Sequence, residues 1–119
     1  MSYLSSNQLK QYEDEGFVSP INIFSKEEAK EVRNEIELIE MDMPEELEKT
    51  GRYNAHLISP LLDGVTHNPK ILDAVQSLIG KNILVCGTTL FIKNPNKKGF
   101  VSYHQDAKYI GLEPHNWVT

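Results

Sequence analysis

The sequence predicts an α+β fold with helices in residues 1–80 and strands in residues 81–119. Three observations carry this expectation. Apolar residues recur three and four apart between Ser25 and Gly80, β-branched and aromatic residues crowd the stretch from Ile83 to His104, and turn-forming Gly, Asn and Pro punctuate both halves. The length of 119 residues is that of a single domain.

Ser5 or Ser6 caps a short helix carrying Leu9 and Tyr12, and Gly16 stands where a left-handed terminator is expected. After the extended FVSPINIF segment, Ser25 and Glu28 form a capping-box match. Ala29, Val32, Ile36 and Ile39 then share one helical face, and Pro44 ends that helix. The segment GRYNAHLISPLLD, from Gly51 to Asp63, has no clean period and reads as a loop with a short strand or turn around His56 to Ile58. Asn68 caps the next helix with Pro69 at its first position, Ile71, Leu72, Val75, Leu78 and Ile79 form its buried stripe, and Gly80 closes it.

From Asn82 the pattern changes. Ile83 to Cys86 and Thr88 to Lys93 read as strands, Asn94 to Gly99 as a turn, and Phe100 to His104 as a third strand. Asn116 to Thr119 opens another. The sheet so described is unfinished, and its exposed edges invite association with a second copy of the chain.

Composition excludes several functions. A net charge of −5 and the lack of a basic cluster argue against nucleic-acid binding, which needs Lys and Arg on phosphates. The acidic run between Glu27 and Glu48 alternates with Lys30 and Arg33 and reads as a solvated helix face. No apolar run approaches the roughly 20 residues that span a bilayer, and the first residues lack the pattern of a secretory signal. The single cysteine, Cys86, forms no internal disulfide and is expected as a small buried apolar residue, which fits a reducing, cytoplasmic location.

The stretch FVSYHQDA, Phe100 to Ala107, carries the candidate chemistry. On a strand, side chains two apart point to one face, with Cα atoms roughly 6.5 to 7 Å apart. His104 and Asp106 then reach toward a common ion while Gln105 points away. An imidazole and a carboxylate are two of the three ligands of the 2-His-1-carboxylate triad that holds Fe(II). The spacing alone is short, and two polar residues on a solvated strand have the same pattern.

The surroundings narrow the choice. TTLFIKNPNKKGFVSYHQDAKYIGLEPHNWVT resembles the stretch around the first two metal ligands of the phytanoyl-CoA dioxygenase family: a strand ending in Lys, a Pro-containing loop, an aromatic lead into His-Gln-Asp, a Tyr three residues on and a Gly-Leu-x-Pro loop. His56-Leu57 and the HNPKILDAVQSLIGKNILV segment look like the same family's entry into its core. The resemblance covers residues 50–119 in detail and the helical start loosely. It implies an Fe(II)- and 2-oxoglutarate-dependent oxygenase built on a double-stranded β-helix, a cupin-like jelly roll that begins in this chain. The implied reaction uses O2 to hydroxylate a small organic substrate while 2-oxoglutarate is decarboxylated to succinate. Carried over by position, His104 and Asp106 are iron ligands, and retention of the aspartate favours hydroxylation over halogenation.

Other residues carry open alternatives. Lys93 lies near the cofactor or is a solvated strand end. His56 approaches the 2-oxoglutarate or substrate pocket, or makes a structural hydrogen bond on its loop. Gln105 and Tyr109 match the motif, each supporting a metal ligand or contacting substrate. Thr89, Leu90 and Trp117 read as packing residues, and His115 as a loop residue pointing away from the metal. The family's second iron-binding histidine and the group gripping the far carboxylate of 2-oxoglutarate are expected downstream of Thr119. Residues 1–119 are accordingly expected to be the N-terminal part of a longer oxygenase, inactive alone. A non-enzymatic interaction or structural module, and a cupin-like metal protein without 2-oxoglutarate, are the competing readings.

Overall fold

The longer helices begin where a side chain satisfies the backbone. In the computed structural model, which describes residues 3–46, 53–91, 95–96 and 98–119, α1 (Ser6–Glu15) starts at Ser5. The Ser5 hydroxyl accepts the Gln8 N–H while Gln8 Oε1 accepts the Ser5 N–H, and Gly16 stops the helix at a left-handed φ of 78°. α2 (Lys26–Asp42) repeats the device, with Glu28 Oε2 accepting the Ser25 N–H at 2.7 Å. Pro44 lacks the N–H that would continue this ladder, and it instead opens the single turn α3 (Pro44–Glu46).

The region expected as a loop holds a 3-10 turn at Ala55–Leu57 and a helix, α4 (Pro60–Thr66). Ser59 caps α4 by accepting the Leu62 N–H, and Pro60 takes its first position. α5 (Pro69–Ile79) has the same start, Asn68 followed by Pro69, and ends at Gly80 with φ 89°. The Ser-Pro pair was thus the signal for α4, hidden because seven residues are too few to display a helical period.

Ile39, Ala55 and Leu62 form the buried cluster at the centre of the helical half, with Val32, Ile36, Met43 and Leu90 packed on it. Ala29 lies outside it, exposed, and the stripe of α5 is half-buried around Ala74. Polar ties between elements hold the rest. The buried Ser59 hydroxyl donates to Glu35 Oε1 at 3.0 Å, joining α4 to α2. Ser77 Oγ accepts the N–H groups of Tyr3 and Leu4 at 3.1 and 3.3 Å, which seats the buried Leu4 on α5. Lys70 Nζ donates to the Ile23 carbonyl at 2.9 Å, bringing the chain before α2 onto α5.

The second half corrects the α+β expectation. Among the described residues there is no strand or sheet, and the opening of a double-stranded β-helix is not seen. An isolated antiparallel bridge joins Tyr53 to Thr89, supported by the Asn54 N–H on the Thr88 carbonyl at 2.6 Å. Strand propensity measures how well a side chain fits a half-buried pleated surface, and that surface is built by neighbouring strands. Here Leu84 is 90%, Phe100 88% and Tyr103 108% exposed, so no neighbour covers them.

Cys86 is exposed, contrary to the buried position expected of it. Leu90 does pack on the core cluster, whereas Thr89 is exposed at the bridge. Lys93 and its neighbours Ile92 and Asn94 lie outside the described residues. Past the motif, a short helix α6 (Ala107–Ile110) ends at Gly111 with φ 62°. Among the described residues no helix is long and apolar enough to cross a membrane.

Candidate metal centre

His104 and Asp106 meet, but not through strand geometry. Asp106 has helical dihedrals, φ −60° and ψ −37°, at the start of α6. That turn swings its carboxylate back toward the preceding segment, leaving Oδ1 3.1 Å from His104 Nε2. The side chains are 37% and 34% exposed, about a third in water and the rest against the protein.

The imidazole is oriented by its other nitrogen. His104 Nδ1 donates to the Ser102 carbonyl at 2.7 Å, which fixes the tautomer whose Nε2 carries the lone pair in the neutral ring. The Ser102 hydrogen bond raises the His104 pKa above its ordinary 6.5; desolvation opposes the shift, and the charge and hydrogen bond of Asp106 add to it. Tyr109 stands edge-on to the imidazole, ring centroids 6.0 Å apart at 67°.

The carboxylate is held from its far side. Thr119 Oγ1 donates to Asp106 Oδ2 at 2.7 Å and accepts the Trp117 indole N–H at 2.9 Å. The sequence reading missed both contacts by treating Trp117 as packing. The available signal was the indole N–H itself, which usually finds an acceptor when it is partly buried.

These groups line an open cleft of about 940 Å³. Its opposite wall comes from the helical half: Tyr12, Gly16 and Phe17 at the end of α1, and Ala74, Val75 and Leu78 on α5. Gln105 and His115 also line it. His56 is not among the lining residues; its Nδ1 lies 2.8 Å from Thr88 Oγ1, tying the 3-10 turn to the segment that bridges it.

The donor pair fits a divalent cation. Two neighbouring ligands about 2.1 Å from an octahedral ion lie about 3.0 Å apart, and Nε2 and Oδ1 are 3.1 Å apart. The ring and carboxylate are each anchored through the atom that faces away, as ligating groups usually are. The set is partial, because no group of three His, Cys, Asp or Glu side chains able to hold a metal gathers among the described residues. His115 does not complete it, with its Nε2 3.6 Å from Glu113 Oε1.

Relatives carry dioxygenase names. An ectoine dioxygenase from Bordetella bronchiseptica is 28% identical over 122 residues, covering 92% of this chain and 39% of that protein. A phytanoyl-CoA dioxygenase domain-containing protein 1 from Rattus norvegicus is 40% identical over 60 residues, covering 50% of this chain and 20% of its own length. The Mus musculus protein of the same name is 24% identical over 166 residues, covering 96% of this chain and 57% of its own. The chain thus spans 39% of the ectoine dioxygenase and 57% of the mouse protein. No solved structure matches it. The profile of the phytanoyl-CoA dioxygenase (PhyH) family matches residues 12–119, nearly the whole sequence, and the chain belongs to that family.

Proposed function

We propose that this chain is the N-terminal part of a longer Fe(II)- and 2-oxoglutarate-dependent dioxygenase that hydroxylates a small organic substrate, with His104 and Asp106 as two of the iron ligands. The observation that carries the reading is the convergence of His104 Nε2 and Asp106 Oδ1 at 3.1 Å on the wall of a cleft, in a chain of this family. When bound, iron with 2-oxoglutarate and O2 supplies the oxidising chemistry: one oxygen atom enters the substrate C–H bond, the other enters succinate, and CO2 leaves.

The chain's own residues prepare that chemistry. Ser102 holds the His104 tautomer that offers Nε2 to a metal. Tyr109 meets the imidazole in a T-shaped contact, and Gln105 lines the same cleft, where it contacts the substrate or supports the ligands. Phe17, Val75 and Leu78 give the substrate an apolar wall. The third protein ligand and the grip on the far carboxylate of 2-oxoglutarate are assigned to the remainder of the longer protein.

Anaerobic titration of the full-length protein with Fe(II) and 2-oxoglutarate tests the reading. The expected result is a weak visible charge-transfer band that is absent in His104→Ala. A full-length wild-type protein without the band, or a band unchanged in His104→Ala, overturns the assignment. Iron binding that depends on His104 but shows no response to 2-oxoglutarate would move the protein to a different metal chemistry.

A further inference from the structure

We propose that Thr119 is a positioning residue for the Asp106 carboxylate, held in a directed Trp117–Thr119–Asp106 relay that commits Oδ2 and leaves Oδ1 as the single oxygen offered to a cation. The proposal rests on the assignment of Asp106 as a metal ligand made above.

The direction of the relay follows from the inventory of donors. An indole N–H can only donate, so Thr119 Oγ1 must accept at its 2.9 Å contact with Trp117 Nε1. The hydroxyl has one proton, and an ionised carboxylate can only accept. The 2.7 Å contact with Asp106 Oδ2 is therefore Thr119 donating, a charge-assisted bond strengthened by the indole behind it.

The consequence falls on the other oxygen. A free carboxylate rotates about χ2 and binds a metal through one oxygen or both. With Oδ2 held by Thr119 and Oδ1 3.1 Å from His104 Nε2, rotation is restricted and one-oxygen ligation is preset. The span of the contact matters too: Thr119 lies 13 positions after Asp106, beyond α6 and Gly111, so the relay also closes the loop that carries His115 and Trp117 against the ligand.

The test separates the relay from the metal. Trp117 is the chain's single tryptophan, so its indole N–H gives one amide-type resonance in a ¹⁵N correlation spectrum. In the metal-free chain this resonance is expected to shift in Thr119→Val and in Asp106→Asn and to stay near its wild-type position in Thr119→Ser. A resonance unmoved in both of the first two variants overturns the relay, whether or not metal binds.

Co(II) alone, followed by its visible spectrum, then reads positioning. Thr119→Val is expected to bind about tenfold more weakly than wild type and Thr119→Ser within about twofold of it, with the far-UV circular dichroism of all three unchanged. Wild-type Co(II) affinity in Thr119→Val, while His104→Ala loses binding, overturns the positioning role and leaves the iron assignment standing. Wild-type affinity in His104→Ala overturns the iron assignment itself.

Discussion

The helical half and the segment after Gly80 were written in different codes. In the first, each of the longer helices has a capping side chain within three residues of its start, and distant parts are joined by single polar ties such as Ser77 to Leu4 and Ser59 to Glu35. In the second, the strand-forming residues find no ladder among the described residues; Thr88 to Leu90 rest on the first half, and contacts two to thirteen positions apart hold the segment around His104 and Asp106. The difference teaches that a cap is a local instruction, complete within one turn, whereas a strand is half an instruction. The candidate centre lies where the two meet, its ligands from the second half and its apolar wall from α1 and α5.

The strongest way to break this comparison is to attack the packing that centres on the first half. Ile39 is 5% exposed in the cluster with Ala55 and Leu62. Ile39→Ala is expected to destabilise the chain by about 2 to 5 kcal/mol, from lost burial plus the cavity left behind. Urea unfolding followed by far-UV circular dichroism measures it. A loss below about 1 kcal/mol would mean that the helices do not depend on this cluster and that the two halves are equally loose.

A smaller effect isolates one cap. Glu28 accepts the Ser25 backbone N–H, and that bond is the main cause of its pKa lying below the ordinary 4.5; desolvation opposes the shift, while the Ser25 hydroxyl and the charge of Lys70 assist it. A carboxylate depressed on folding stabilises the fold fully above its unfolded pKa, and the contribution is lost as pH falls through the folded value. Glu28→Gln keeps an acceptor but loses the charge. Thermal melts are therefore expected to place the variant below wild type at neutral pH and to close that gap as pH falls below the ordinary 4.5 and through the lower folded value. A gap independent of pH would show that the charge at the start of α2 is irrelevant.

What the sequence made legible follows the same division. Ser5, Gly16, Ser25, Asn68 and Gly80 stand at the helix ends where the chain places them, because each cap needs only its neighbours. α4 was hidden by its shortness, although Ser59-Pro60 marked it. The sheet expectation failed because residues 83–104 describe side chains suited to a sheet without describing their partners. His104 and Asp106 were found by motif and resemblance, and they do come together, yet the strand spacing invoked for them does not hold: a helical Asp106 makes the contact. Thr119 was out of reach, since its bond to Asp106 depends on the path of α6 and the loop after it.

The smallest expected effect is the sharpest test of the contrast. Leu84 and Phe100 are 90% and 88% exposed, apolar side chains already in water. Replacing an apolar group that stays solvated costs no burial, so Leu84→Ser and Phe100→Ser are each expected to change stability by no more than about 0.5 kcal/mol in the chain. The same two substitutions on a covered sheet face would cost about 1.5 to 3 kcal/mol each, the value of burying such side chains. Urea unfolding of the two variants beside Ile39→Ala thus reads which half is packed. A cost near that of Ile39→Ala would mean that the second half is covered in solution by a surface these residues do not themselves provide, and the contrast between a self-sufficient and a partner-dependent half would have to be redrawn around that cover.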